Sequence, residues 1–353
     1  MNGPAAELAP PGFNWRTTIR GALPRIGVGV VLGGAALWLA FRGVEAEAVW
    51  AALGRVNYAW VAVAQLSVLG TLLLQTARWR LLFYPDHRQR SWLALLGAVV
   101  VGQMVNISLP LRLGEVARVV LASRSEGVAK TRVAATLVVE KVSDLAVFGL
   151  SGILLLVTMS LPDWLRRSSD TLVLTGVAAV VATIGLTAWG RPVLRWLEAR
   201  APRLPAPWGE RLWRVGHLAL DGLSALRRPS ANLALWSLAV LVLFSSVLTN
   251  YLLFLAFGLP LSFGAALFVL VVLQVGTAPP SLPGKLGVFH YLAVLALSFF
   301  AVERGAALGY ALALYAVALL SKLILGAAWL AWLRWLPART RRAETALDQA
   351  AGS

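Results

Sequence analysis

Apolar runs of about 20 residues recur along the chain, the length an α-helix needs to cross the hydrocarbon core of a bilayer. Polar positions gather between these runs. The pattern predicts six spans, at about 24–42, 57–77, 133–160, 170–189, 232–257 and 305–333. A short amphipathic stretch at 45–55 puts Val49, Trp50 and Leu53 on one helical face. Between spans 2 and 3, and again between spans 5 and 6, an apolar stretch is broken in its middle. The first broken element has a leading arm at 92–108, a tip at 109–114 and a returning arm at 115–122. The second has a leading arm at 263–278, a tip at 279–287 and a returning arm at 288–300. The longest polar segment, 191–231, carries Trp208, Leu212, Val215, Ala219 and Leu226 at helical spacing, the pattern of a helix lying in the membrane interface.

Both tips carry one signature. Leu109-Pro110-Leu111-Arg112-Leu113-Gly114 and Leu282-Pro283-Gly284-Lys285-Leu286-Gly287 both read Leu-Pro-x-(Arg/Lys)-Leu-Gly, 173 residues apart. Two helix breakers flanking a cation are tolerated at membrane depth where the backbone lines a site. The duplication divides a single membrane domain, 24–335, into halves of about 24–160 and 170–335, each made of two spans, a hairpin and a span. Three crossings per half insert the second half upside down relative to the first. Arms of about 17 residues rise roughly 25 Å, short of the roughly 30 Å hydrocarbon core. Two re-entrant hairpins whose tips meet near the midplane are therefore expected. The alternative, arms that cross fully, gives ten spans and leaves the rest of the topology unchanged.

Composition narrows the class. An apolar content of 59% and a mean hydropathy of +0.74 exclude a soluble domain, and the lack of cysteine excludes disulfides and thiolate chemistry. No polar stretch is long enough for a separate catalytic domain. The net charge of +16 sits mostly in loops. The segment 77–91 has four Arg against one Asp, and 191–231 has eight Arg against three acids. The tail 336–353 is basic as well, and the positive-inside rule places all three in the cytoplasm with both termini. These charges fit anionic lipid, and no nucleic-acid partner is expected. Arg16, Arg20 and Arg25 before the run 26–41, with Ala46-Glu47-Ala48 after it, look somewhat like a signal peptide. The long basic region, with no secreted domain behind it, favours an uncleaved first span preceded by a cytoplasmic segment, 1–23.

The tips are where chemistry is expected. Pro110 and Pro283 end the leading arms, and Gly114, Gly284 and Gly287 let the backbone turn or approach closely. Each returning arm then starts at its tip, aiming free N–H groups and the positive dipole end into the membrane interior. Arg112 and Lys285 stand beside those ends, and a helix N-terminus with a cation is an anion site suited to a phosphate or carboxylate head group. The plainer alternative is a tightly packed broken helix whose cation snorkels to the interface. Span 3 carries Glu140, Lys141 and Asp144, with Lys141 in reach of Asp144 at i, i+3. The first returning arm carries Glu115 and Arg118, and span 6 carries Lys322. A charge at the bilayer centre costs on the order of 3 kcal/mol, so Lys322 is expected to face inward and pair with Asp144 or Glu140. Sharing one cavity, these residues make it net positive; otherwise they form a structural ion-pair network. Asn106, Asn250, Gln274, Ser281 and His290 are further candidates for its lining. Leu286 stands where a P-loop needs Ser or Thr. His87, His217 and His290 are scattered, so no metal, cofactor or catalytic residue is expected, and the chain does not read as an enzyme.

The stretch 102–118, with Asn106, Leu109-Pro110 and Leu113-Gly114-Glu115-Val116-Ala117-Arg118, resembles the lysylphosphatidylglycerol synthase transmembrane family of flippase-like proteins. Val139-Glu140-Lys141-Val142-Ser143-Asp144 is similar to its Glu-Arg-x-x-Asp motif, with Lys141 in place of Arg. The segment 283–289 is similar to its Pro-Gly-Gly-x-Gly motif, with Lys285 replacing the second Gly and His290 standing where an acid is common. The likeness covers roughly 20–335. It implies a bacterial cytoplasmic-membrane protein that moves a phospholipid, of phosphatidylglycerol or aminoacylated type, between leaflets. The aminoacyl-transfer domain of the full synthases is not recognised in the chain, so synthase activity is not expected. Arg112 and Lys285 would hold the phosphate, and Glu140 and Asp144 would balance the cations or bind an aminoacyl group. A secondary transporter for a small anionic solute, and a membrane partner of a separate lipid-modifying enzyme, are the other readings.

Overall fold

The computed structural model describes residues 27, 30–108, 113–159, 174, 177, 178, 181, 228–277 and 283–335. Ten helices and no strands occur among them. Helices α1 (Val30–Phe41) and α2 (Ala46–Gly54) lead into α3 (Tyr58–Leu81). The first hairpin is α4 (Trp92–Ser108) and α5 (Leu113–Glu126), followed by α6 (Lys130–Thr158). Helix α7 (Pro229–Ala256) precedes the second hairpin, α8 (Phe263–Gly276) and α9 (Val288–Ser298), and α10 (Arg304–Trp335) comes last. By length and composition α3, α7 and α10 can each cross a membrane. They are the expected spans 2, 5 and 6. Span 3 is α6, 29 residues long and charged in its middle. Most of span 4 and nearly all of the segment 191–231 lie outside the described residues.

The hairpins are re-entrant. Their arms contain 17, 14, 14 and 11 residues, all below the roughly 20 needed to span. The end of α4 meets the second tip: a Cβ built on Gly284 would lie 3.7 Å from the carbonyl oxygen of Ile107. This proximity and the short arms favour re-entrant hairpins over ten full spans. The arms differ slightly from expectation. The first returning arm begins at Leu113 and runs to Glu126, and the second leading arm stops at Gly276.

The two halves exchange contacts. The leading arm α4 packs on α10, the last span of the other half, and α8 packs on α6. Gly97 faces Trp329, and Gly326 faces Met104, so α4 and α10 run antiparallel. The equivalent spans α3 and α7 meet along a hydroxyl seam. Ser67 Oγ donates to the Ser245 carbonyl at 3.0 Å, and Ser245 Oγ to the Ser67 carbonyl at 3.1 Å. Without a hydrophobic force between helices in lipid, small residues and hydroxyls of this kind hold spans together. The α2 face differs from expectation. Val49 is buried, but Trp50 is 72% exposed. Gly305 and Gly309 of α10 admit the small side chains of Ala48 and Ala52, so those residues face it instead.

Within the first hairpin, Gly102 and Gly114 set the spacing. A Cβ on Gly114 would overlap the Gly102 carbonyl and the Asn106 side chain, which is itself bonded to the Gly114 N–H. Gly114→Val is expected to destabilise the protein by about 1–3 kcal/mol, the usual cost of overpacking. Gly70→Val, where no atom lies within reach of a Cβ, is the control. Thermal melting of the purified protein in detergent compares them. Equal melting temperatures would show that the close approach is not needed.

Candidate functional site

A cavity of about 510 Å³ opens where the hairpin tips meet. Each wall follows from a helical stripe. On α3, Thr71, Gln75 and Arg78 fall on one face at i, i+4 and i+7; on α6, Glu140, Asp144 and Val147 do so; on α10, Tyr315, Leu319 and Lys322 do so. The end of α4 contributes Asn106 and Ile107, the second tip Gly284 and Lys285, and α5 Glu115 and Arg118.

The floor is an ion network. Arg118 meets Glu140 in a two-pronged pair, Nη1–Oε1 at 3.0 Å and Nη2–Oε2 at 2.8 Å. Arg78 Nη1 lies 2.7 Å from Asp144 Oδ1, and its Nη2 lies 3.7 Å from Glu140 Oε1. Arg78 is 2% exposed and Glu140 4%. The Arg118 guanidinium also stacks 4.2 Å over the Trp79 ring, whose Nε1 donates to Thr136 Oγ1 at 3.0 Å. At the rim, Lys141 Nζ lies 3.7 Å from Glu115 Oε1.

Each tip is closed by a bond across eight residues. The Gly114 N–H donates to Asn106 Oδ1 at 2.8 Å, and Lys285 Nζ donates to Thr277 Oγ1 at 2.8 Å. Tyr315 Oη reaches from α10 and donates to the Gly284 carbonyl at 2.9 Å. Gly284, Lys285 and Gly287 all have positive φ, at 71°, 61° and 80°. The sharp reversal after Pro283 needs this backbone. Two of the three positions are glycine, and Lys285 takes the left-handed conformation at a steric cost.

Asn106, Glu115, Arg118, Glu140, Lys141, Asp144, Asn250, Gln274, Gly284, Lys285 and Lys322 are brought together around the cavity. Pro110, Arg112 and Ser281 lie outside the described residues. Gly114 serves the hairpin seam, and Gly287 starts α9 against the backbone of Gly33 on α1. His290 is buried behind the cavity, its ring 4.9 Å from that of Tyr315. Pro283 opens the short turn Pro283–Lys285.

Two pairings differ from expectation. Lys322 lines the cavity, but Asp144 and Glu140 are occupied by Arg78 and Arg118, and among the described residues Lys322 makes no ion pair. Lys141 pairs with Glu115 on the facing helix, not with Asp144 on its own. The residue that sequence reasoning misplaced is Arg78. At the end of an apolar run it counts as a loop charge, yet its register with Thr71 and Gln75 turns it inward. Gln103, which donates to Gln75 Oε1 at 2.7 Å, was also missed.

The described lining carries five cations, Arg78, Arg118, Lys141, Lys285 and Lys322, and three carboxylates, Glu115, Glu140 and Asp144. Residues 26–340 match the family described as the lysylphosphatidylglycerol synthase TM region. The chain belongs to this family. It is thus a multi-pass membrane protein of the lysylphosphatidylglycerol synthase transmembrane class, and the motifs that carry the resemblance bring Asn106, Glu115, Arg118, Glu140, Asp144 and Lys285 to the cavity. No curated protein and no solved structure matches it.

Proposed function

We propose that the protein moves a lipid with an anionic head group between the leaflets of a bacterial cytoplasmic membrane. One observation carries this reading: the described lining of the polar cavity between the hairpins has more positive than negative side chains, five cations against three carboxylates. Positive charge is expensive in a membrane interior, and an anionic ligand offsets it. The head group occupies the cavity while its acyl chains stay in lipid. Lys285 and Lys322 face the phosphate, with Arg112 at the first tip as a third contact. Arg78 and Arg118, fixed by Asp144 and Glu140, form a rigid base. Hairpin 1 is clamped to α6 by a two-pronged ion pair, whereas the Gly284 turn is held by the hydroxyl of Tyr315. Movement of the hairpins opens the cavity to one leaflet or the other.

Reconstituted vesicles test this. With head-labelled fluorescent phosphatidylglycerol in both leaflets, an impermeant reductant quenches about half the signal unless lipid crosses. Near-complete quenching with the protein present is the expected result. Half quenching, equal to that of empty vesicles, contradicts translocation of this lipid.

A further inference from the structure

We infer that the cavity reads hydroxyl groups on the lipid head group, those of a sugar or ring polyol joined to the phosphate, through Gln75, Gln103 and Gln274; this deepens the translocation reading and rests on it. The first observation is Gln274. It is the sole polar residue of α8, whose sequence is otherwise Phe, Gly, Ala, Leu and Val. Gln274 is exposed and lines the cavity. Its side chain makes no hydrogen bond among the described residues. An amide at membrane depth without a partner costs free energy, so its place on this wall calls for a ligand group.

The second observation is which neutral polar groups of the described lining are still open. Thr71 Oγ1 is bonded to Ser245 Oγ at 2.8 Å, and Thr249 Oγ1 donates to the Ser245 carbonyl at 3.0 Å. Asn250 Oδ1 accepts from Tyr310 Oη at 2.8 Å, while its Nδ2 donates to the Ser246 carbonyl at 2.9 Å. Asn106 Oδ1 holds the Gly114 N–H. Gln75 and Gln103 differ. They share one bond, from Gln103 Nε2 to Gln75 Oε1 at 2.7 Å. That bond leaves the Gln75 amino group and the Gln103 carbonyl open among the described residues. With Gln274 they present both donors and acceptors, all neutral. A hydroxyl also donates and accepts, and so meets both kinds. A phosphate oxygen only accepts and an ammonium only donates, so either leaves part of the set unmet.

The third observation is placement. Gln75 on α3 and Gln103 on α4 belong to one wall, and Gln274 on α8 to another. A ring with hydroxyls on several edges is held from both. There is room for it: the cavity has about 510 Å³, whereas a phosphate is only a few times larger than a water, whose share of liquid volume is about 30 Å³.

The test holds charge fixed and varies hydroxyls. The purified protein is melted in detergent with short-chain phosphatidylinositol, phosphatidylglycerol or phosphatidylethanol, all singly charged phosphodiesters, or with soluble inositol phosphate. Phosphatidylinositol is expected to bind at least about tenfold more tightly than phosphatidylethanol, the worth of one or two hydrogen bonds, with phosphatidylglycerol between them. Gln274→Met is expected to cut that preference several-fold and to leave phosphatidylethanol binding unchanged, a pattern that general damage to the fold would not give. The pair Gln75→Met with Gln103→Met, which removes both ends of their shared bond, is expected to do the same. Phosphatidylethanol bound as tightly as phosphatidylinositol by the wild type, binding of none of the probes, or a preference that survives in both variants overturns the inference. Inositol phosphate as effective as phosphatidylinositol upholds the hydroxyl site and assigns it to a solute. The same lipids are then followed in vesicles, where selective binding without movement contradicts translocation while the hydroxyl selectivity stands.

Discussion

Replacing Glu140 with Gln is expected to destabilise the protein by about 3–5 kcal/mol, the usual cost of leaving a buried charge without its partner. Glu140 is 4% exposed and serves two guanidinium groups, those of Arg118 and Arg78. An amide keeps the shape but removes the charge that both arginines face. Arg118 suffers more, because both of its prongs end on this carboxylate, whereas Arg78 keeps Asp144. The damage should appear as a lower melting temperature and less folded protein in the membrane fraction. A paired replacement, Arg118→Met with Glu140→Leu, removes both charges together and should recover much of the loss. If the double variant melts no higher than the single one, the ion pair is not what clamps α5 to α6.

The second large effect is on transport. Lys285→Ala combined with Lys322→Ala should lower lipid translocation at least about 100-fold, since hydrogen bonds to charged groups contribute about 1.5–3 kcal/mol each. Stability should change little. Lys322 makes no ion pair among the described residues, and Lys285 gives a hydrogen bond to Thr277. Each single variant should lie between wild type and the double variant. Translocation at the wild-type rate by a well-folded double variant would remove the lysines from the mechanism.

Much of this architecture is legible in the sequence because membrane helices announce themselves by length and by the absence of charge. The duplicated Leu-Pro-x-(Arg/Lys)-Leu-Gly signature adds the symmetry, and the symmetry brings the two hairpins together. Ile107 beside Gly284 is the outcome. What the pattern hides is rotation. Arg78 sits close to the end of α3, so hydropathy and the positive-inside rule assign it to a loop, and only the register with Thr71 and Gln75 reveals that it faces inward. The same blindness assigns Lys322 to Asp144, which Arg78 already occupies. Gly287 and His290 share the motif segment with Gly284 and Lys285. The turn at positive φ sends them outward, to Gly33 and behind Tyr315, where motif spacing cannot follow.

The most direct test of the central claim is an electron cryo-microscopy map of the protein in nanodiscs of anionic lipid. The account predicts a phosphate-sized density in the cavity between Lys285 and Lys322, above the Arg118–Glu140 pair, continuous with acyl-chain density leaving into the bilayer. Lipid density confined to the outer surface, with the cavity between the tips holding only water, would contradict it.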